Sequence, residues 1–279
     1  MTGSIAIAPL TAMHADAAHG LTTAVGWSHR REDWLLALSA GQGLGAYDAI
    51  GALRGTLVWF PYAPAHASVG LIVVDPALQR GGVGRALMRR LFDDAGERSL
   101  LLVSTEAGLR LYENLGFRTI GSNAAHMGTV TTVAGPHDGV ERGHASDLQA
   151  LQALDAAAMG CRRDALIAAL VAAGDVAVVR NRDRIDGFAI CRRFGTGRVI
   201  GPVVAGDDAV ARRLVAYWLV QHPGDIMRID IPAEHADLIA WVVAQGLPRG
   251  GESPIMVRGE PPRPVAPWRR YALVSQAMG

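Results

Sequence analysis

The stretch that decides the fold runs from residue 71 to residue 91 and reads LIVVDPALQRGGVGRALMRRL. Residues 71–74 have the composition of a buried strand, and residues 83–91 have the apolar spacing of an amphipathic helix. Glycines between them let the backbone approach a ligand, and the free N–H groups of a first helical turn attract an anion. The stretch therefore predicts a pyrophosphate-binding loop. This loop comprises Gln79, Arg80, Gly81, Gly82, Val83, Gly84 and Arg85.

Several kinds of glycine-rich loop could occupy this place. A P-loop requires Gly-Lys-[Ser/Thr], and the chain contains no lysine. A dinucleotide-binding fingerprint turns directly from strand to helix and has a third small residue, whereas here residues 75–79 intervene and Leu87 stands at the third position. A glycine-rich turn without a ligand is the remaining simple alternative. The spacing Gln79-x-x-Gly82-x-Gly84 closely resembles the Gln/Arg-x-x-Gly-x-Gly loop of GNAT-type acetyltransferases.

Length and composition limit the class of protein. A chain of 279 residues that is 50% hydrophobic is expected to form one large or two medium domains. The formal net charge of +1 gives no reason to expect nucleic-acid or membrane-surface binding. Two cysteines are too few for a disulfide framework, and we expect neither a signal peptide nor a membrane helix. The expected location is the cytoplasm.

The sequence predicts helices at 11–24, 83–95, 106–115 and 208–221, and two short strands at 117–120 and 126–130, among other elements. The order of predicted strands and helices favours an α/β protein with mixed β-sheets flanked by helices. The order occurs twice, and matching segments are separated by 130 to 134 residues. Gly70-Leu-Ile-Val-Val resembles Gly201-Pro-Val-Val-Ala, and Leu115-Gly-Phe resembles Gln245-Gly-Leu. We therefore predict a first domain at 1–130, a linker at 131–139 centred on Gly135-Pro136, and a second domain at 140–279.

The two predicted domains differ at the positions that carry chemistry. Where the first has glycines, the second has Asp207-Asp208, whose carboxylates would satisfy the helix dipole and repel a pyrophosphate. Val242 stands where the first domain has Tyr112. We therefore expect one active site, in the first domain, and a second domain that has the fold without the coenzyme site.

Tyr112 lies in LYENLGF (residues 111–117), which resembles the second hallmark of GNAT acetyltransferases. The whole chain resembles a bacterial tandem acetyltransferase, with a second domain of the YitH type. This resemblance implies acetyl-CoA as co-substrate and direct attack by an amine in a ternary complex. A phenol with a pKa near 10 is suited to give a proton to a departing thiolate, although Tyr112 could merely pack on the coenzyme.

Further coenzyme contacts are expected at the ends of two strands. A backbone N–H of Val73 or Val74, in the strand that includes Ile72, could bind the thioester carbonyl oxygen where two strands separate. Ser104, Thr105 and Glu106 follow the next strand and could bind the coenzyme, or Glu106 could cap the next helix.

A group that accepts the proton of the amine is the least defined element. Glu32 is the predicted base, with Asp33 and His29 nearby, although either acid could serve only as an N-terminal helix acid. His126 lies in a predicted strand and is expected to be structural. The scattered histidines predict no metal site.

The expected acceptor is a small-molecule amine bound between the two domains, since domain interfaces are frequent ligand sites. We expect no nucleic-acid or membrane partner, and a monomer or homodimer. The alternatives are an acyl-CoA-binding regulator without turnover and a protein N-acetyltransferase. An open, acidic groove would favour the latter.

Overall fold

The computed structural model describes residues 5–131, 133–135, 137–182 and 184–279. The predicted linker at 131–139 therefore lies partly outside the described residues. The strands are β1 (Ala6–Leu10), β2 (Gln42–Tyr47), β3 (Leu53–Tyr62), β4 (His66–Val74), β5 (Ser99–Val103), β6 (Arg118–Thr129), β7 (Val140–Arg142), β8 (Asp175–Asn181), β9 (Arg184–Phe194), β10 (Gly197–Ala205), β11 (Ile226–Pro232), β12 (Arg249–Arg258) and β13 (Arg269–Ala272). The helices are α1 (Ala15–Ala24), α2 (Arg31–Ala40), α3 (Val83–Ala95), α4 (Leu109–Glu113), α5 (Leu148–Met159), α6 (Asp164–Ala173), α7 (Asp208–Gln221) and α8 (Ala236–Ala244).

The predicted mixed sheet with helices around it is confirmed. Its strand order is β1-β2-β3-β4-β5-β12-β6-β11-β10-β9-β8-β7, with β13 attached to β10. Two neighbouring pairs, β4 with β5 and β10 with β11, are parallel, and the other pairs are antiparallel. Each half of the chain therefore contributes one parallel pair.

The two halves share this sheet because they exchange their last long strands. β6, from the first half, is hydrogen-bonded to β11 of the second half. β12, from the second half, is hydrogen-bonded to β5 of the first. β6 and β12 also pair with each other at the centre. Neither half can therefore complete its sheet without a strand from the other.

β6 differs from the sequence-based expectation. We predicted two short strands, at 117–120 and 126–130, but the structure has one strand of 12 residues. It is long because both of its edges are occupied, by β12 and by β11, so its backbone groups have partners along most of its length. The register on the β12 side shifts twice, once between Arg249 and Glu252, which accommodates the Gly250-Gly251 segment, and once between Ile255 and Met256.

The parallel pairs both open into a gap. Pairing of β4 with β5 ends at Val69, and β4 continues to Val74 without that neighbour. Pairing of β10 with β11 ends at Ile200, and β10 continues to Ala205. A gap of this kind exposes backbone N–H groups, which makes it a natural binding place for an extended ligand.

The chain's own C-terminal segment fills the gap of the second half. β13 pairs with residues 203–205 of β10, and the N–H of Leu273 donates to the carbonyl of Asp230 on β11 at 2.9 Å. The segment then crosses to the first half, where the Tyr62 hydroxyl donates to the Met278 carbonyl at 2.8 Å. Arg163 of the second half donates to the Gly279 carbonyl at 2.7 Å. Among the described residues, the gap of the first half has no such strand in it and is open to a ligand.

Candidate functional site

The glycine-rich loop places a helix N-terminus beside the open gap. Gly82 precedes α3 with φ at 89°, a left-handed conformation that favours glycine, and Arg80 also has a positive φ of 65°. Ala86 donates to the Gly82 carbonyl, so the N–H groups of Val83, Gly84 and Arg85 precede the first intrahelical bond. No acidic residue lies in the first turn of α3. The loop therefore offers free donors and positive charge, as an anion site requires.

The corresponding helix of the second half is already satisfied. Asp207 is the N-cap of α7, and its carboxylate accepts the Val210 N–H at 2.8 Å. Asp208 lies in the first turn and accepts the hydroxyl of Tyr271. The two carboxylates and the occupied Val210 N–H oppose the binding of a phosphate at this helix end. This geometry agrees with the predicted difference between the two halves.

β4 has a bulge at the point where the gap opens. Leu71 has φ at 51°, the β3–β4 register shifts there, and Thr56 Oγ1 donates to the Leu71 carbonyl at 2.8 Å. Downstream, the Asp75 N–H donates to Arg54 at 2.8 Å. Because hydrogen bonds alternate along an antiparallel pair, the N–H of Val74 points away from β3 to the open side.

Of the two predicted backbone donors, Val74 thus has the better position. The same alternation directs the N–H of Val73 to β3, where Thr56 is its partner in the register. The side chain of Val73 is buried, while Ile72 lines the cavity described below.

Tyr112 lies on α4 and faces the open gap. It is 7% exposed, it packs edge-on against Phe117 with ring centres 5.9 Å apart, and it lines the same cavity as Ile72. Burial raises the pKa of Tyr112 to about 12, so the phenol remains protonated at neutral pH. A buried, protonated hydroxyl beside the gap is suited to donate a proton there.

The three residues that follow β5, at 104–106, differ in burial and in contact with the cavity. Ser104 is buried, and its hydroxyl donates to the Thr105 carbonyl at 2.7 Å. Thr105 lines the cavity and caps the next turn by accepting the Gly108 N–H at 3.3 Å. Glu106 is exposed. Thr105, rather than Glu106, is therefore the cap.

The two acids in the first turn of α2, Glu32 and Asp33, do not line the cavity. Glu32 is exposed on α2 and is absent from the cavity lining, so the structure gives the predicted base no place beside the gap. Asp33 is buried and accepts the N–H and guanidinium of Arg30 and the N–H of Gly195. Burial by itself would raise the pKa of Asp33, but these hydrogen bonds lower it below its usual range. Asp33 therefore acts as a helix N-terminal acid, one of the two roles considered for it.

His29 is the member of this segment that does line the cavity. Its ring packs edge-on against Phe194 at 5.1 Å and lies 5.6 Å from Trp27. Neither ring nitrogen has a hydrogen-bond partner among the described residues. Burial lowers the pKa of His29 to about 4, and although Asp33 opposes the shift, the nearby arginines add to it. A neutral imidazole with two unused nitrogens therefore faces the cavity. His126, by contrast, is buried within β6 and does not line it.

The cavity has a volume of about 260 Å³ and lies between the two halves of the chain. One wall is formed by β4, β5 and Tyr112, and the second by the loop that carries His29. The remaining lining residues were not predicted from sequence. They are Phe194, Arg228, Ser275, Gln276 and Ala277. No local sequence pattern marks these residues, because it is the exchanged strands that bring β9, β11 and the C-terminal segment next to the first half.

The described residues contain no cluster of three or more His, Cys, Asp or Glu side chains placed to hold a metal ion. Among the same residues, no helix combines the length and apolar character needed to cross a bilayer.

Both halves match the acetyltransferase (GNAT) domain, the first at residues 39–119 and the second at residues 151–272. The uncharacterized N-acetyltransferase YitH of Bacillus subtilis is 31% identical over 218 residues, which cover 76% of each chain. A Pyrococcus horikoshii protein proposed to be an acetyltransferase has the same fold, with a TM-score of 0.84 at 20% identity over 100% of this chain and 97% of that one. A tandem GNAT protein from the clavulanic acid biosynthesis pathway has a TM-score of 0.64 at 15% identity, over 92% of this chain and 99% of that one. This chain therefore belongs to the GNAT N-acetyltransferases, in their tandem form.

Proposed function

We propose that this protein transfers the acetyl group of acetyl-CoA to an amine of a small molecule by direct attack. The loop at residues 79–85 binds the pyrophosphate, and the gap between β4 and β5 receives the thioester arm. The observation that carries the proposal is the continuity of this gap with one cavity that holds Tyr112, His29 and a wall from the second half.

The residues around the gap suit each part of the transfer. The Val74 N–H is placed to bind the thioester carbonyl oxygen, which gains negative charge as the amine attacks. The amine lone pair forms the C–N bond, the C–S bond breaks, and the sulfur takes the proton of Tyr112. His29 accepts the proton lost by the amine nitrogen. Transfer through water from His29 to Tyr112 then restores both groups, so the net products are the amide and free coenzyme A.

The enclosure of the cavity supports a small acceptor. The C-terminal segment at 275–277 and Phe194 of β9 form a wall opposite the gap. The lining residues include no aspartate or glutamate, whereas an acidic open groove was the expected mark of a protein acetyltransferase. The second half thus has a role in the proposed reaction, because it closes the acceptor side of a site whose coenzyme side belongs to the first half.

The test combines binding with turnover. Calorimetric titration with coenzyme A should show one binding site per chain, and a panel of small amines should release free thiol from acetyl-CoA. In the Gly84→Val variant the new Cβ would lie 3.4 Å from Leu111 and 3.8 Å from Val74. The variant should weaken coenzyme binding at least tenfold, and its unfolding temperature measures the separate cost of overpacking against these two side chains. Binding without thiol release from any amine would instead favour an acyl-CoA-binding regulator, and acetylation of proteins alone would favour a protein acetyltransferase.

A further inference from the structure

We propose that the acceptor amine also carries an anionic group, in the simplest case a carboxylate, which binds the guanidinium of Arg228 while the amine lies against His29. This inference rests on the proposed function, because it names the class of acceptor that the same cavity takes. The acceptors that fit this description are amino acids and related amino-carboxylates.

Arg228 is held as a preformed anion-binding group at the cavity wall. Its Nε and Nη2 donate to the two carboxylate oxygens of Asp230 at 3.0 and 3.1 Å. Its guanidinium stacks on Phe194, 5.2 Å from the ring centre. These contacts fix the plane of the guanidinium, and Nη1 donates to no residue that the structure describes. A fixed guanidinium with an unused donor is well suited to bind a carboxylate.

The charges around the cavity favour an anion over a cation. Arg228 is the one lining residue that carries a formal charge at neutral pH within the described chain. The charges behind the wall, some buried and some partly exposed, are those of three arginines and two aspartates, which leaves one excess positive charge. They are Arg30, Arg192, Arg228, Asp33 and Asp230.

Arg192 shows that this excess charge is incompletely neutralised. Its side chain is 1% exposed, its nearest carboxylate oxygen is that of Asp33 at 3.7 Å, and its Nε has no partner among the described residues. It stacks on the same Phe194 ring as Arg228, at 5.2 Å. An anion beside Arg228 would therefore be attracted by both guanidinium groups, at short range in a weakly screened environment.

Polar groups that can bind the amine end of the acceptor also line the cavity. Both nitrogens of His29 and the hydroxyl of Ser275 are buried without a hydrogen-bond partner among the described residues, and both residues line the cavity. Buried polar atoms without partners are costly, and a ligand is one way to satisfy them. A neutral amine can donate to His29, and it can donate to or accept from Ser275.

The distance between the two ends suits a small amino acid. The His29 ring centre lies 5.1 Å from the Phe194 ring centre and the Arg228 guanidinium carbon lies 5.2 Å from it, so the two groups are no more than about 10 Å apart. An amino acid with one hydrogen bond at each end can bridge such a distance. The aromatic rings of Trp27 and Phe194 would contact its side chain.

Binding of the anion also prepares His29 for the reaction. Arg228 and Arg192 both contribute to the low pKa of His29. A carboxylate on Arg228 offsets that repulsion and so makes the imidazole a better proton acceptor. The same positive potential disfavours an ammonium ion, so the acceptor would bind with its amine neutral and ready to attack.

The test uses matched pairs of ligands and full-length protein. With saturating coenzyme A, N-acetyl amino acids of increasing size, from glycine to phenylalanine, are titrated against their carboxamides by calorimetry. The carboxylate member should bind at least about tenfold more tightly, the usual advantage of a charge-assisted contact. In turnover with acetyl-CoA, the free amino acids should exceed their carboxamides and the corresponding simple amines in kcat/KM by a similar factor.

The Arg228→Gln/Asp230→Asn double variant removes both charges of the pair and so avoids leaving a buried carboxylate unpaired. It should bind coenzyme A normally and lose the preference for the carboxylate. Arg142→Gln, which removes an exposed arginine paired with Asp175, is the control and should keep it. Equal responses to the two ligands of each pair, including no binding of either, would overturn the inference. Failure of the unaltered protein to bind coenzyme A would instead refute the proposed function.

Discussion

Gly70 and Ala277 lie in direct contact, and the carbonyl oxygen of Ala277 occupies the place where a Cβ on Gly70 would stand. The equivalent glycine of the second half, Gly201, has the same relationship with the carbonyl of Leu273. Both glycines of the internal repeat are therefore required by one C-terminal segment that passes both parallel strand pairs. Through this contact the last residues of the chain form a wall of the cavity in the first half.

Replacement of Gly70 by alanine should displace this segment. We expect a loss of about 1–3 kcal/mol of folding free energy, as for other overpacked sites, together with weaker acceptor binding. Thermal unfolding and acceptor titration measure both effects. The matched control is Gly20→Ala in α1, where no atom lies within 4 Å of the new Cβ; it should stabilise the protein by about 0.5–1 kcal/mol. Unaltered stability and acceptor binding in the Gly70 variant would show that the segment moves freely.

Arg85→Glu should reproduce in α3 the negative charge that α7 has at Asp208. Arg85 is exposed, and an acid in a first helical turn interacts favourably with the helix dipole, so the unfolding temperature should be unchanged or slightly higher. Coenzyme A affinity should nevertheless fall at least tenfold, because the new carboxylate repels the pyrophosphate. Arg85→Gln should lose only part of this affinity. If the Glu variant bound coenzyme A as tightly as the unaltered protein, the loop would not be the pyrophosphate site.

Tyr112→Phe should reduce kcat by roughly 10²- to 10⁴-fold, the usual contribution of a general acid. The phenylalanine ring keeps the edge-on contact with Phe117, so coenzyme A affinity and unfolding temperature should change little. Because the pKa of Tyr112 is raised to about 12, the unaltered enzyme should show no loss of this proton donor between pH 7 and 9. A fully active variant would reduce Tyr112 to a packing residue.

His29 should make the folded protein sensitive to acid. Its pKa is lowered from 6.5 to about 4, so the unfolded chain binds the proton more readily than the folded one. Its contribution to stability is fully present above pH 6.5 and is lost as the pH falls towards 4, by about 3 kcal/mol in total.

His29→Phe tests this pH dependence. The substitution retains an aromatic ring beside Phe194 and removes the titrating group. The unfolding free energy of the variant should therefore fall less steeply than that of the unaltered protein between pH 6.5 and 4. Parallel curves for the two proteins would show that His29 titrates normally.

The buried pair of Arg163 and Asp155 should be strongly coupled. Its two hydrogen bonds are 2.7 and 2.8 Å long, and both side chains are almost fully buried. Arg163→Met leaves the Asp155 carboxylate alone in the core and should cost about 3–5 kcal/mol in chemical denaturation. The double variant with Asp155→Leu should recover most of this loss. Equal destabilisation by the single and double variants would assign the effect to the lost contact between Arg163 and the Gly279 carbonyl.

Local signals in the sequence predicted two corresponding helices, one in each half, with accuracy. The predicted bounds of 83–95 and 208–221 agree with α3 and α7, because Gly82 and Asp207 mark the two N-termini by their own conformational and capping preferences. The helix predicted at 11–24 starts later, at Ala15, after a short turn at Ala12–His14. The helix predicted at 106–115 is confined to Leu109–Glu113, because Thr105 first caps a separate turn.

Other features depend on residues far apart in the chain. Glu32 and Asp33 follow His29 closely in the sequence, yet of the three only His29 lines the cavity. The reason is that the phase of α2 turns Glu32 to solvent and Asp33 towards Gly195. The exchange of β6 and β12 was likewise not predicted. The composition of a single strand says little about which distant strand it will pair with. β6 and β12 each have a composition that would allow pairing at either of the two places.

The sequence by itself determined the family, the two similar halves and the half that has the glycine-rich loop. Each of these depends on contiguous residues, such as the glycines at 81–84 and the acids at 207–208, whose effects are local to one turn. The tertiary structure decided how the halves share one sheet, which gap the C-terminal segment fills, and which charged group lines the cavity. The reason is physical: a cavity between halves is formed by long-range strand pairing, and its charge is the sum of side chains that no sequence window contains.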